Sequence, residues 1–166
     1  MSNGIKNVIG IDNGVTGSWA VLNITNGKSS FVKAPIKKVR DYTKEEQHCN
    51  RIDWQDLAVN VPSDSIAAIE RPMVDPKRFV ATKSALRALE ATLIVLEMLD
   101  IPYEFIDSKE WQKEFLSSSL IGHKDMKIAS KEVGIKLFPQ HQSKIEKHGD
   151  SDSLLIALYY KQKRGL

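Results

Sequence analysis

Cysteine is nearly absent from the sequence, and long apolar runs and a basic leader are missing. The one cysteine, Cys49, cannot form a disulfide within the chain, and we interpret it as an incidental thiol. No apolar stretch reaches the length of a membrane span. The first six residues lack the pattern of a signal peptide. These absences predict a protein of a reducing, cytoplasmic compartment without membrane contact.

Strong net charge is also missing, because the 166 residues carry a formal charge of only +3. This length and the apolar content of 42% predict one domain over residues 1–166. The distribution of charge is more informative than its sum. Basic residues gather in three places, where they could either follow a phosphate backbone or form ordinary solvated surface. These are Lys33, Lys37, Lys38 and Arg40; Lys77, Arg78, Lys83 and Arg87; and Lys161, Lys163 and Arg164.

The hydrophobic pattern predicts an opening meander of three strands over residues 8–12, 18–24 and 30–34. Residues 35–50 are polar and charged, and we expect a loop or a short helix there. Helices and strands alternate afterwards, which favours an α/β fold with a mixed central sheet. We predict helices over 53–59, 76–99, near 111, 125–137 and 151–161, and strands over 66–70 and 102–106.

Two of the predicted strands end in an acidic residue, Asp12 and Glu70. If these strands are parallel neighbours, their carboxylates meet at one edge of the sheet, where open α/β sheets carry their sites. Asp150 and Asp152 stand at the start of the last predicted helix, where either residue could be a cap. An apolar stripe directly follows Asp152, so we expect its side chain to point inward.

Converging carboxylates cannot all stay ionised in a partly buried site without a cation. Oxygen ligands favour Mg²⁺ or Mn²⁺ over zinc. Two such ions can activate a water molecule and stabilise the leaving oxygen in phosphodiester hydrolysis. The acids therefore indicate a metal-dependent nuclease.

Five segments, taken in order, resemble the RuvC family of Holliday junction resolvases, especially its phage and viral members. They are residues 9–14 (IGIDNG), 68–72 (AIERP), 111–113 (WQK), 136–139 (KLFP) and 148–157 (HGDSDSLLIA). The resemblance implies a ribonuclease H-like fold with a mixed five-stranded sheet flanked by helices. It also implies a homodimer that uses two Mg²⁺ ions, replaceable by Mn²⁺, and no small-molecule cofactor. Its substrate would be branched DNA in recombination and repair, cut by symmetric paired nicks, in the host cytoplasm for a viral protein.

By this resemblance, Asp12, Glu70 and Asp152 match the first, second and last catalytic acids. The family's remaining acid normally stands three or four residues before the last one, where this chain has Gly149 and His148. Either His148 takes that role, as a metal ligand or in proton transfer, or Asp150 does so from a shifted position. We expect the metal ligands to be Asp12, Glu70, Asp152 and His148.

Six basic residues are candidate DNA contacts: Lys77, Arg78, Lys83, Arg87, Lys37 and Lys38. Lys83 and Arg87 are one turn apart on the long predicted helix, beside the expected site. Among the aromatic residues, we expect Phe79 to pack in the core and Trp111 to pack its helix onto the sheet. Tyr42 is left open between a base contact and a surface position.

Three other functions compete with junction cleavage. The segment 10–17 also resembles the phosphate-binding hairpin of sugar kinases and actin-like ATPases. Those proteins enclose a nucleotide between two such domains, and we find neither the length nor a later glycine-rich adenosine motif. A related nuclease could instead act on flaps, forks or RNA–DNA hybrids. The change at His148 and Gly149 also leaves room for a non-catalytic junction-binding protein.

Overall fold

A computed structural model describes residues 4–166. The prediction that the N-terminus is not a signal peptide concerns residues 1–6, of which the first three lie outside the described range. The strands are β1 (Asn7–Asp12), β2 (Ser18–Asn23), β3 (Ser29–Lys33), β4 (Ile36–Arg40), β5 (His48–Ile52), β6 (Ser65–Glu70) and β7 (Tyr103–Ile106). The helices are α1 (Trp54–Asn60), α2 (Phe79–Met98), α3 (Ser108–Phe115), α4 (His123–Leu137), α5 (Gln142–His148) and α6 (Asp152–Arg164). Short 3₁₀ turns precede α2 and α5.

A mixed five-stranded sheet in the order β3-β2-β1-β6-β7 forms the centre of the molecule. β1 runs antiparallel to β2 and parallel to β6, and β6 runs parallel to β7. Ile11 of β1 pairs with Ile69 of β6, so the next residues, Asp12 and Glu70, end neighbouring strands at the same sheet edge. The predicted α/β fold with this sheet is confirmed.

Helices cover both faces of the sheet, and each face has its own buried core. α3 to α6 pack on one face around Val8, Ala68 and Leu155, while α1 and α2 pack on the other around Ile9, Ile69 and Leu96. Each side chain of β1 alternates between the two faces, so β1 is buried on both sides, as parallel strands of α/β proteins are. The sheet edge that carries Asp12 and Glu70 lies between these two layers.

The expected loop or short helix over residues 35–50 was wrong, because this segment forms the antiparallel hairpin β4–β5. Only Ile52 is buried in its two strands, so the sequence offered no apolar alternation to detect. Long-range contacts hold the hairpin on α2 instead. Arg87 of α2 donates to the Cys49 thiol at 3.5 Å and to the Asp41 carboxylate at 3.0 Å.

The remaining predicted elements differ from the structure mainly at their ends. Asp75 stands at the start of the long helix, as expected, and its carboxylate accepts a hydrogen bond from the backbone amide of Lys77 at 3.0 Å. The first turn of this helix is 3₁₀, and α2 ends at Met98. The capping box of Asp107 and Glu110 is present at the start of α3. α5 was missed, since it is short and buries only Ile145.

A search for membrane-crossing segments found no helix of sufficient length and apolarity among residues 4–166.

Gly10 allows α6 to lie directly on β1. A Cβ atom at this position would collide with the carbonyl oxygen of Ser153 and lie 2.5 Å from the amide nitrogen of Ala157. Both atoms belong to the backbone of α6, so no side-chain rotation relieves the clash. Because α6 begins at the acidic sheet edge, the contact at Gly10 also fixes where Asp152 lies.

We expect Gly10→Ala to destabilise the fold by about 1–3 kcal/mol, as overpacked cores do, and to lower Tm by several degrees. Gly4→Ala is the control, since an added Cβ there meets no atom within 4 Å. Thermal unfolding followed by circular dichroism measures both. Equal Tm values for the two variants would contradict the close approach of α6 to β1.

Candidate metal centre at the sheet edge

Four acidic side chains gather at the edge where β1, β6 and the start of α6 meet. Asp12, Glu70 and Asp152 line one cavity of about 340 Å³, and a carboxylate oxygen of Asp150 lies within 4.8 Å of one of Asp12. The structure thus brings together the three acids that the sequence singled out. Their catalytic roles remain predictions.

Burial raises the pKa of Asp12 well above its usual value, and repulsion from Asp152, Glu70 and Asp150 raises it further. Lys127 is the one cation that opposes this rise among the groups near Asp12. Burial and the neighbouring acids thus both oppose ionisation of Asp12.

Glu70 is oriented by a single strong contact from α3. The indole nitrogen Nε1 of Trp111 donates to Oε2 of Glu70 at 2.8 Å. Burial raises the pKa of Glu70, the Trp111 hydrogen bond lowers it, and repulsion from Asp150 raises it, with a net upward shift. Trp111 is 1% exposed and packs α3 against the sheet, as predicted. Its hydrogen bond to an acid was not predicted, because it joins residues far apart in sequence.

Asp152 is held by α4, where the Ser130 hydroxyl donates a short hydrogen bond to its Oδ1. Burial, followed by repulsion from Asp150, raises the pKa of Asp152 to about 7. The Ser130 hydrogen bond lowers this pKa but does not offset burial. Asp152 thus changes charge near neutral pH in the metal-free protein.

Either His148 or Asp150 was expected to take the place of the acid that this chain lacks. The structure places both side chains close to Asp12, so the two expectations do not exclude each other. Asp150 is 1% exposed and pairs with Lys127 at 3.1 Å and with Nε2 of His148 at 3.5 Å. Asp150 also accepts a hydrogen bond from the backbone amide of Asp152 at 3.4 Å, although the N-cap residue of α6 is Ser151. The expected capping role of Asp150 was therefore wrong, and its role in the site remains a prediction.

Gly149 separates these two residues with a backbone φ of +103°, a conformation that favours glycine. This geometry explains why an acid does not occupy position 149. The turn lets α6 begin with Asp152 at the cavity, while α5 ends with His148 beside Asp150. The departure from the family pattern thus has a backbone cause.

Asp12, His148 and Asp150 offer ligand atoms that all lie within 4.8 Å of one another. Nε2 of His148 is buried and lies 3.5 Å from Oδ1 of Asp150, without a hydrogen bond among the described residues. Burial lowers the pKa of His148, so its imidazole is neutral and available to a metal. We call these three residues the ligand group. They suit a divalent cation.

The ligand group differs from the set expected from the sequence. Glu70 and Asp152 line the cavity without belonging to the group, and Asp150 joins it. Glu70 and Asp152 remain predicted ligands.

Asn13 is a site residue that the sequence analysis missed. It lines the cavity beside Asp12, and its amide nitrogen donates to the carbonyl oxygen of Ala85 at 3.1 Å. Its Oδ1 is buried without a hydrogen-bond partner among residues 4–166. A buried amide oxygen of this kind is suited to accept a hydrogen bond from water in the cavity. The Asp12-Asn13 pair was visible in the sequence, but the orphaned oxygen was not.

The candidate DNA contacts fall into two groups. Lys83 and Arg87 pair with Asp41 at 3.4 and 3.0 Å, and Lys37 pairs with Asp53 at 3.7 Å. Arg78 lines a second cavity together with Asp12 and Glu70. Lys77 and Lys38 are exposed. All six remain predicted contacts.

Core packing of Phe79 was a wrong prediction, because this residue is 65% exposed at the start of α2. Tyr42 is 73% exposed at the tip of the β4–β5 hairpin. The Lys83 ammonium lies 5.1 Å from the Tyr42 ring centre and 6.0 Å from that of Phe79. The two exposed aromatic rings therefore flank one cation.

No family model and no curated protein sequence matches this chain. Solved structures do match it. RuvC of T. thermophilus in complex with a Holliday junction substrate is 15% identical, with 96% of each chain covered and a TM-score of 0.53. The chain has the fold of RuvC. A second structure of Thermus thermophilus RuvC is 14% identical over 96% of each chain, with a TM-score of 0.48. The expected likeness to RuvC is thus confirmed for the fold, while the phage or viral type remains a prediction.

The raised pKa of Asp152 makes the metal-free RuvC-like fold sensitive to pH. A pKa of about 7 in the folded state exceeds the ordinary value of 3.8. Stability from the protonated carboxyl is fully present below that ordinary value and is lost as the pH rises through about 7.

Asp152→Asn removes the charge, so we expect a higher Tm than wild type at alkaline pH in EDTA, by at least about 2–4 °C. The gain should disappear in acid. Asp56→Asn, at an exposed position of α1, is the control. Thermal unfolding at both pH values measures the difference. A gain of equal size in acid and alkali would contradict a buried, repelled carboxylate at Asp152.

Proposed function

We propose that this chain is a single-domain, metal-dependent endodeoxyribonuclease that resolves four-way DNA junctions by symmetric paired nicks. The observation that carries the proposal is the group of acids and His148 at one edge of a RuvC fold. A T. thermophilus RuvC with this fold has been solved with a Holliday junction substrate. Recombination and DNA repair are the processes that such an activity would serve.

The ligand group of Asp12, His148 and Asp150 would hold the metal, with Glu70 and Asp152 completing its surroundings. Bound Mg²⁺ or Mn²⁺ supplies charge neutralisation and lowers the pKa of a coordinated water. The indole of Trp111 holds Oε2 of Glu70 by a hydrogen bond, and this bond does not involve Oε1 of Glu70. Asp152, held by the hydroxyl of Ser130, would face the same cavity as Asp12 and Glu70.

Basic residues at the start of α2 would position the DNA backbone. Arg78 lines the second cavity with Asp12 and Glu70, and Lys77 precedes it in the same turn. Lys38 is exposed on the hairpin. Three of the candidates form ion pairs with carboxylates within the protein: Lys37, Lys83 and Arg87. Each would have to break its ion pair before it could bind a phosphate. We therefore propose Arg78 as the principal contact of the six.

We also propose that a second copy of the chain packs on α2. Leu86, Ile94 and Met98 are 43%, 48% and 53% exposed and recur at helical spacings on one face. Such a pairing would give two sites related by a two-fold axis, as nicking of two symmetry-related strands requires.

The test of the function is cleavage of a labelled four-way DNA junction by purified protein with Mg²⁺ or EDTA, and with linear duplex as control. We expect paired nicks that need the metal and are absent from the duplex. Junction binding without cleavage in either Mg²⁺ or Mn²⁺ would indicate a non-catalytic binding protein. Equal cleavage of flaps, forks or RNA–DNA hybrids would indicate another nuclease.

Asp12→Asn should lower the cleavage rate by at least about 100-fold, because even the outer partners of metal ligands are worth about 10–100-fold. Junction binding in EDTA should persist, since the basic residues are unchanged. Cleavage is followed on denaturing gels and binding by fluorescence anisotropy. Asp56→Asn serves as the matched control. A variant that cuts like wild type would remove Asp12 from the active site.

A further inference from the structure

A basic groove lies beside the ligand group, on the face of the sheet covered by α4 and α5. Its volume is about 590 Å³. Four ammonium groups line it: Lys33 at the end of β3, Lys127 on α4, and Lys144 and Lys147 on α5. No aspartate or glutamate is among the residues that line it within the described chain, 4–166.

The groove is continuous with the acidic cavity. Thr16 and Lys127 line both spaces. His148 belongs to the groove and also to the ligand group. Lys127 reaches Asp150 at 3.1 Å, so one end of the groove opens at the candidate metal centre. A chain-like anion lying in the groove would therefore continue into the site.

Three of the four lysines of this groove are not neutralised by an acid of the described chain, whereas Lys127 pairs with Asp150. Among residues 4–166, Lys33, Lys144 and Lys147 form no ion pair, in contrast to Lys83 and Arg87, which share Asp41. Lys144 and Lys147 are three residues apart and thus lie close together on α5. Like charges held together without an acid raise the free energy of the empty groove. A bound polyanion removes this repulsion.

Phe31 of β3 gives the groove an apolar floor. The rings of Phe31 and His148 meet edge to face, with ring centres 5.6 Å apart and planes at 81°. An apolar floor between ammonium groups suits a ligand that alternates charged and uncharged parts, as the phosphates and sugars of a nucleic acid do.

We propose that this groove binds the backbone phosphates of the DNA strand that enters the acidic site, on one side of the phosphate to be cut. This inference rests on the proposed function, since it takes DNA as the substrate. The groove lies on the α4–α5 face, whereas Arg78 approaches the site from α2 on the opposite face. The strand would thus be held on both sides of the metal centre.

The test replaces Lys33, Lys144 and Lys147 together by glutamine and leaves Lys127 in place. Binding of the full chain to a fluorescently labelled four-way junction is measured in EDTA over a range of salt concentrations. Each lost phosphate contact lowers the slope of log affinity against log salt by about 0.7–0.9. We expect the slope to fall by about 2–3 and affinity to fall about tenfold or more.

A matched variant removes the same charge from lysines at the far ends of β3, α4 and α6: Lys28→Gln, Lys136→Gln and Lys161→Gln. Its slope should change by less than about 1. A variant with arginine in place of Lys33, Lys144 and Lys147 keeps the positive charge. It should therefore show the wild-type slope of log affinity against log salt. Equal weakening of both glutamine variants would mean a general charge effect and overturn the proposal. Unchanged binding of the groove variant would overturn it too.

The experiments distinguish a failure of the groove proposal from a failure of the proposed nuclease function. Because the binding assay contains EDTA, it does not depend on cleavage. Wild-type protein that binds but never cuts, together with a weakened groove variant, would support the groove and contradict the nuclease. Metal-dependent cleavage by wild type, with normal binding and cleavage by the groove variant, would contradict the groove alone.

Discussion

Mutual repulsion among buried carboxylates at one edge of the sheet is the constraint on which the site depends. Burial raises the pKa values of Asp12, Glu70 and Asp152, and the acids raise one another's further. Within the described chain only Lys127 forms an ion pair in this group, with Asp150. One ammonium is not enough for four acids, so the protein must keep protons there or bind a cation. Asp12, His148 and Asp150 have ligand atoms close enough together to hold such a cation.

The fold keeps these groups together through contacts that also hold its strands and helices in place. The parallel pairing of β1 and β6 sets Asp12 next to Glu70. Gly10 lets α6 lie on β1, which brings the start of that helix to the same edge. Trp111 and Ser130 then each fix one carboxylate by a hydrogen bond. Loss of any of these contacts would leave the acids present but no longer held at one edge.

The features that could be predicted from the sequence are those that depend on the pattern of residues close together in the chain. Apolar runs ending in Asp12 and Glu70 gave the strands, and their parallel pairing gave the edge. Features set by long-range contacts were not predictable in this way: the polar β4–β5 hairpin is held by α2, and Lys83 and Arg87 turned out to pair with Asp41. The positive φ of Gly149 is likewise a property of the folded turn. Each acid was found because it ends an apolar run or begins a helix, which is a local pattern, and the partners of the acids were missed because they are distant in sequence.

Cation binding by the acids is tested most directly by NMR titration of the Asp152 side-chain carboxyl carbon, with and without Mg²⁺. A cation binds the ionised carboxylate and so competes with the proton. In metal-free protein the midpoint should lie near pH 7. Saturating Mg²⁺ should move it down by about one pH unit or more, since one unit corresponds to 1.36 kcal/mol of preference for the charged form. An identical midpoint in both titrations would contradict a metal site built from these residues.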